Sequence, residues 1–318
     1  MFFLFTDPVK SPMHFTYVTR EGHKCKKEQA LIGSGGFSRT YRMRHRMDRS
    51  IRAVKQLKTG SLDEVRTLAR VPPHVGLVAY FGCFRNRLRH TWIVTGLVGQ
   101  GETVADRLKQ ATARDVFRDI APAVAHLHRH AILHRDIKAA NIFASTRGDD
   151  GDPMYVLGDL GHARSIDGRG CCYVPPVGVV GRGHCVYRAP EVIAGSPYGP
   201  PSDIWQLGVV LFELDVGLVA DDIVGNSATT GWHRDFGAWL HHTESGREAA
   251  QDLADDTCLA MLDATPHKRT TCTTRNTAAA ARNTATNTKR LPTIGGDHYY
   301  TATIKKEHKY NKNSSTNG

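Results

Sequence analysis

The amino-acid sequence predicts an α+β protein in two lobes, strands first and helices later. Three observations predict it. Strand-like stretches crowd the first hundred residues or so behind a Gly-rich turn. A helical period of apolar residues runs through Val116, Ile120, Val124 and Leu127. A second apolar helical stretch follows at Ser202–Leu214. Early strands and late helices on one chain are the pattern of segregated α+β layers.

Gln29–Ile32 leads into the Gly-rich turn, and Arg39–Arg44 leaves it as a strand. Ser50–Leu57 reads as a strand bearing Lys55 near its end. Ser61–Ala69 reads as a helix, with Ser61 as N-cap and Glu64 three residues later in capping-box spacing. Val75–Phe84 and His90–Leu97 read as two further strands. Thr112–His130 is the long helix, and Pro122 inside it is expected to kink or weaken it, because proline lacks the N–H that the ladder needs. Residues 215–264 carry a looser pattern that should hold the last helices.

Composition narrows the class. The chain has 318 residues, 40% hydrophobic and 23% charged, enough to bury a sizeable core. No apolar run approaches the ~18 residues of a membrane span, and the mean hydropathy is −0.37, which excludes an integral helical membrane protein. The apolar opening Met1–Phe5 is shorter than the ~7–15 residues of a secretory core, so no signal peptide is read. Seven cysteines, an odd number without C-x-x-C spacing, favour a reducing compartment over a disulfide framework. Cys171, Cys172, His184 and Cys185 do not match zinc-site spacings. Of the net charge of +11, eight units fall after Ala264, where ten Lys/Arg face two Asp/Glu. The Thr-, Asn- and Lys-rich stretch 271–318 has too few large apolar groups to offset ordering entropy, so it is expected to be a disordered basic tail.

The residues that carry chemistry come in order. Gly33-Ser34-Gly35-Gly36-Phe37-Ser38 has the G-x-G start of a loop whose bare backbone N–H groups approach phosphate. By itself such a turn is more often a simple hairpin. Lys55 ends Ala53-Val54-Lys55, opposite that turn. His134-Arg135-Asp136-Ile137-Lys138-Ala139-Ala140-Asn141 is the strong signal: Asp136 supplies a proton acceptor and Asn141 a metal-ligand amide on one loop. Gly158-Asp159-Leu160-Gly161 adds a carboxylate suited to Mg²⁺, and Ala189-Pro190-Glu191 and Asp203 follow.

In this order and spacing the chain resembles the eukaryotic-type protein kinases from about Gly33 to Arg269. The resemblance implies a bilobal fold with a small β-rich N-lobe at 27–98 and a larger helical C-lobe at 99–270, after an N-terminal extension at 1–26. It implies ATP and Mg²⁺ as cofactors and transfer of the γ-phosphate to Ser/Thr hydroxyls of proteins. By that resemblance Asp136, Lys138 and Lys55 are catalytic, and Asn141 and Asp159 hold the metal. Ile32, Gly33, Ser34, Gly35, Gly36, Phe37, Ser38 and Thr40 close over the nucleotide, and Ala53 roofs the adenine. Lys55 pairs with Glu64, with Asp63 as the competing carboxylate. Thr95 is the gatekeeper, with Gly96, Leu97 and Val98 as hinge. Glu191 pairs with Arg269, and Asp203 holds the catalytic-loop backbone, both as scaffold.

Ile137-Lys138-Ala139-Ala140-Asn141 is similar to Ser/Thr-type catalytic loops. Asp159-Leu160-Gly161-His162 is similar to the variant in Wee1-like kinases, which act on Tyr, and that is one alternative; a pseudokinase scaffold is the other. Pro190–Tyr198 is similar to kinases of large DNA viruses such as the herpesvirus type, which would place it in a host cell. The segment Asp159–Glu191 contains no Thr, so activity is expected not to require Thr phosphorylation there, and His184 stands where such kinases carry Thr. Partners implied are protein substrates in an intracellular compartment, cytoplasmic or nuclear, with no membrane. The basic tail lacks a nucleic-acid reading motif, so it points to acidic partners rather than nucleic acid.

Overall fold

The computed structural model describes residues 14–36, 38–58, 62–86, 88–147, 151–166, 171, 185–217, 236–242 and 256–269. Phe37, Ser61, His184 and the stretch 271–318 lie outside these residues, and with them the expectations placed there.

A six-stranded antiparallel sheet comes first. Its strands are β1 (Phe15–Tyr17), β2 (Leu31–Ser34), β3 (Ser38–His45), β4 (Ile51–Leu57), β5 (Tyr80–Arg85) and β6 (Thr91–Gly96), in the order β1-β3-β4-β6-β5. β1 pairs with the far half of β3 and β2 with its near half, so both flank the same strand. The two-residue period of β4 and β6 sorts their side chains onto two cores. Val54, Trp92 and Val94 join Phe15, Tyr41, Met43 and Phe84 on one face. Leu57 and Ile93 turn to the other and join the main core. Lys55 lies on that second face, between Ala53 and Leu57 along β4, which is why a charged side chain points inward.

The helix α1 (Asp63–Leu68) follows β4. It starts one residue later than the capping-box spacing predicts, and its N-cap Leu62 makes no side-chain bond. The reason is local: the Glu64 carboxylate, which a capping box would turn back on its own N-cap, is engaged by Lys55 instead. The predicted strand Val75–Phe84 is also shorter, beginning at Tyr80. Its first part pairs elsewhere, with Val78 N–H donating to Leu157 O and Leu157 N–H to Gly76 O.

The helical part is built on α2 (Ala113–Arg129) and α4 (Pro200–Val216). Thr112 caps α2, accepting from Asp115 N–H. The helix runs through Pro122 without interruption. Its neighbours Ile120, Ala121, Ala123 and Val124 are all buried, so packing compensates for the missing ladder bond. α4 is buried from Ser202 to Leu214, and Gly217 ends it at φ 74°, the left-handed cap that glycine adopts without strain. Between these helices lie the short strands β7 (Ile132–Leu133), β8 (Ile142–Arg147), β9 (Asp152–Leu157) and β10 (Arg164–Ser165). β8 pairs with β9 and β7 with β10, all antiparallel. Helices α3 (Pro190–Ile193), α5 (Phe236–His242) and α6 (Asp256–Met261) complete the described part. Phe236 packs edge-on against Phe212 and Trp205 of α4.

Candidate active site

Two bonded clusters gather most of the residues with chemistry. The first joins strand, helix and loop. Lys55 Nζ donates to Glu64 Oε1 at 2.8 Å and to Asp159 Oδ1 at 2.6 Å. Burial pushes the Lys55 ammonium down, but the Asp159 and Glu64 carboxylates outweigh it and hold the group above the ordinary lysine value. Burial, with the nearby Asp159 charge assisting, holds the Glu64 carboxyl above its usual value although Lys55 pulls it down. Burial also acts to raise Asp159, but Lys55 prevails and keeps that carboxyl below its usual value. Asp159 still has 40% of its side-chain surface open. It sits at φ 56°, a left-handed turn that non-glycine residues adopt at a cost, and its Oδ1 also accepts Gly161 N–H.

The second cluster lies on the loop after β7. Lys138 Nζ donates to Asp136 Oδ2 at 2.9 Å. Asn141 Nδ2 donates to the same oxygen at 2.9 Å and to Asp136 O at 2.7 Å. The chain closes on itself here, with Gly158 N–H donating to Asn141 O and the buried His134 ring bonded to Gly158 O at 3.0 Å. That bond ties the Asp136 loop to the segment bearing Asp159. His162 lies within electrostatic reach of Asp136 and Asp159, yet burial holds its imidazole below the ordinary value despite them.

α4 holds the loop from beneath. Asp203, 0% exposed, accepts His134 N–H at 2.9 Å and Arg135 N–H at 2.8 Å, and its Oδ2 is 2.8 Å from His128 Nε2. Burial works to raise this carboxyl, and His128 with the backbone N–H groups brings it below its usual value. Gln206 adds two bonds, accepting Ile137 N–H at 3.0 Å and donating to Arg135 O at 3.1 Å. Arg135 is thereby held at φ 68°. Reading the sequence singled out neither Gln206 nor His128. The available signal was the i, i+3 spacing of Asp203 and Gln206, which puts both on one helix face.

The remaining candidates line the sheet. Thr40 stands opposite Lys55, and Ala53 opposite Thr95, whose Oγ1 donates to Ala53 O at 3.3 Å. Leu97 and Val98 follow β6 and are half-buried. Ile32 is half-buried, while Gly33, Ser34, Gly35 and Gly36 are exposed at the β2–β3 turn, which Ser38 leaves as the first residue of β3. Lys58 Nζ donates to Gly35 O at 2.7 Å and Gly36 O at 3.2 Å. No motif in the sequence marks this lysine. Farther off, Arg269 makes a two-pronged pair with Glu191, both bonds 2.8 Å.

A sheet carrying Lys55, faced by a loop carrying Asp136 and Asn141, defines a class of protein. The chain belongs to the protein kinase family: the family model for the protein kinase domain matches residues 26–278. Its α+β architecture is the bilobal fold of that family. It is 31% identical over 201 residues to the serine/threonine-protein kinase Nek5 of Mus musculus, covering 58% of this chain and 30% of that protein. It is 30% identical over 201 residues to mitogen-activated protein kinase kinase 3 of Arabidopsis thaliana, covering 58% of this chain and 36% of that protein. A third relative is mitogen-activated protein kinase kinase kinase 3 of Homo sapiens, 31% identical over 147 residues, with coverages of 44% and 22%. The matched part thus spans about a third of the length of these relatives or less.

Proposed function

We propose that this chain is an ATP-dependent serine/threonine protein kinase. The observation that carries the reading is the complete bonded set Lys55–Glu64–Asp159 and Asp136–Lys138–Asn141. Relatives named as serine/threonine kinases support the acceptor class. In this reading Asp136 orients the acceptor hydroxyl and takes its proton as that oxygen bonds to the γ-phosphorus and ADP departs. Lys138, already beside Asp136, offsets charge on the moving phosphoryl group. Glu64 aims Lys55 at the α- and β-phosphates. The Gly33–Ser38 turn covers them, and Ala53, Thr95, Leu97 and Val98 frame the adenine. Such catalysis rests on positioning and charge stabilisation more than on covalent chemistry.

The donor set suits Mg²⁺, a hard cation that takes oxygen ligands. Among the described residues Asp159 is bonded through Oδ1 and Asn141 through Nδ2, so Asp159 Oδ2 and the single amide oxygen of Asn141 are the atoms that would hold an ion. Bound there, Mg²⁺ supplies positive charge to the phosphate oxygens. We assign the protein to a reducing, intracellular compartment, supported by the free thiols of Cys25 and Cys83. Among the described residues no helix is long and apolar enough to cross a membrane. Its partners are protein substrates, with the basic residues after 270 directed at acidic ones.

The test is transfer of the γ-phosphate from Mg-ATP to Ser/Thr and Tyr peptides, beside Asp136→Asn. Labelling of Ser/Thr that vanishes in the variant is expected. Labelling of Tyr alone would move the chain to the Tyr-directed class. ATP binding without transfer to any acceptor would make it a scaffold.

A further inference from the structure

The tip of the β2–β3 turn has almost no packing of its own. Gly35 and Gly36 are exposed, and a methyl built on either would meet no heavy atom within 4 Å. Among the described residues the tip is tied at two places. Within the turn, Gly35 N–H donates to Ser38 O at 3.0 Å. From outside it, Lys58 Nζ donates to Gly35 O at 2.7 Å and to Gly36 O at 3.2 Å. No described carboxylate pairs with Lys58, so the ammonium is spent on these two carbonyls.

The side from which Lys58 pulls is set by β4. Side chains alternate along a strand. Val54 lies in the smaller core. Gln56 shares that face, since Lys27 donates to Gln56 Oε1 while standing over the rings of Tyr41 and Trp92 in the same core. Leu57 turns to the main core, on the face that bears Lys55. Lys58, the first residue after β4, continues the alternation on the side of Val54 and Gln56. It therefore draws the Gly35 and Gly36 carbonyl oxygens away from the Lys55 face. In a planar trans peptide the C=O and the following N–H point in opposite directions. Turning Gly35 O toward Lys58 thus turns Gly36 N–H toward the Lys55 side. Glycines without such a tie rotate between both orientations at little cost.

We propose that Lys58 is a positioning residue for the nucleotide: it fixes the peptide between Gly35 and Gly36 with its N–H toward the phosphates of ATP, on the side away from its own ammonium. It acts through the turn and touches no phosphate itself. The proposal rests on the kinase reading above, which places the phosphates on the Lys55 face.

The full chain is compared with Lys58→Met, Lys58→Arg and Arg39→Met by titration with Mg-ATP, Mg-ADP and adenosine, and by transfer to a Ser/Thr peptide. Lys58→Met should weaken Mg-ATP and Mg-ADP about fivefold, a modest factor because the contact is exposed. Adenosine, which has no phosphate, should bind within about twofold of its affinity for the native chain. KM for Mg-ATP should rise by the same factor, with kcat within about twofold. Lys58→Arg, which can still donate to two carbonyls, should restore most of the affinity. Arg39→Met removes an equal charge from an exposed residue paired with Ser34 on the same turn, and should change nothing by more than about twofold. The fivefold ratio should persist in about 0.5 M salt, where free charges act over only ~4 Å. Lys58 is exposed, so the Tm of its variants should stay within about 2 °C of native. Native affinity in Lys58→Met, equal weakening of adenosine and Mg-ATP, a loss matched by Arg39→Met, or a ratio that falls to one in high salt overturns the proposal. A native chain that binds no Mg-ATP overturns the kinase reading and this proposal with it. Binding without transfer overturns only the enzymatic part of that reading, and the titrations then decide the role of Lys58.

Discussion

Replacing Asp203 by Asn keeps the shape of a buried side chain and removes one acceptor oxygen with its charge. In the native fold Oδ1 takes Arg135 N–H, and Oδ2 takes His134 N–H beside His128 Nε2. Whichever way the new amide turns, its NH₂ faces at least one donor. Each buried donor left without a partner costs about 1–3 kcal/mol, and loss of bonds to a charged group adds a similar amount, so about 3–5 kcal/mol is expected. For a domain of this size that lowers Tm by roughly 6–20 °C. Because the two N–H groups belong to the residues just before Asp136, a displaced loop should also lower kcat by about 10²-fold. The pH profile separates this from a packing defect. The folded carboxyl lies below its usual value, so its contribution is present above the unfolded pKa of about 3.9 and is lost as pH falls through the folded pKa. Thermal unfolding between pH 7 and pH 3 should show a shallower acid loss in Asp203→Asn than in the native chain. A variant within about 2 °C of native Tm and threefold of native kcat would refute the reasoning that this carboxylate holds the loop.

Lys55→Met leaves Glu64 without its bonding partner and removes a charge aimed at phosphate; kcat/KM for Mg-ATP should fall about 10²–10³-fold, measured by peptide phosphorylation. Arg269→Met breaks a pair whose guanidinium is 1% exposed and also loses its bonds to Asp263 O and Pro201 O. It should cost about 3–5 kcal/mol, read as a lower urea midpoint. Gly208→Ala puts a methyl 2.9 Å from Met261 Cβ and 3.1 Å from Leu262, where α4 and α6 meet. Overpacking of about 1–3 kcal/mol should follow, with KM for ATP unchanged.

Much of the candidate site was legible because its residues are contiguous in the chain. Asp136, Lys138 and Asn141 share one loop, and any chain that folds there must bring them together. The order of strand, Lys55, helix and later helices likewise fixed the α+β class. What the chain order could not contain was competition for the same groups. Ser61 and Glu64 have capping-box spacing, but Lys55 claims the Glu64 carboxylate, and the helix begins at Asp63 with Leu62 as its N-cap. Residues 76–78 have strand character, but their backbone partner is Leu157, far along the chain. Pro122 argues against a helix locally, and burial on both sides of it overrides that argument. Gln206 and His128 act only through the three-dimensional meeting of α2, α4 and the Asp136 loop. By itself the sequence determined which reactive groups exist and which stand near one another along the chain, since local spacing sets those distances. Only the tertiary structure decided which donor each carboxylate answers, because a hydrogen bond is directional and goes to the group that packing brings within about 3 Å.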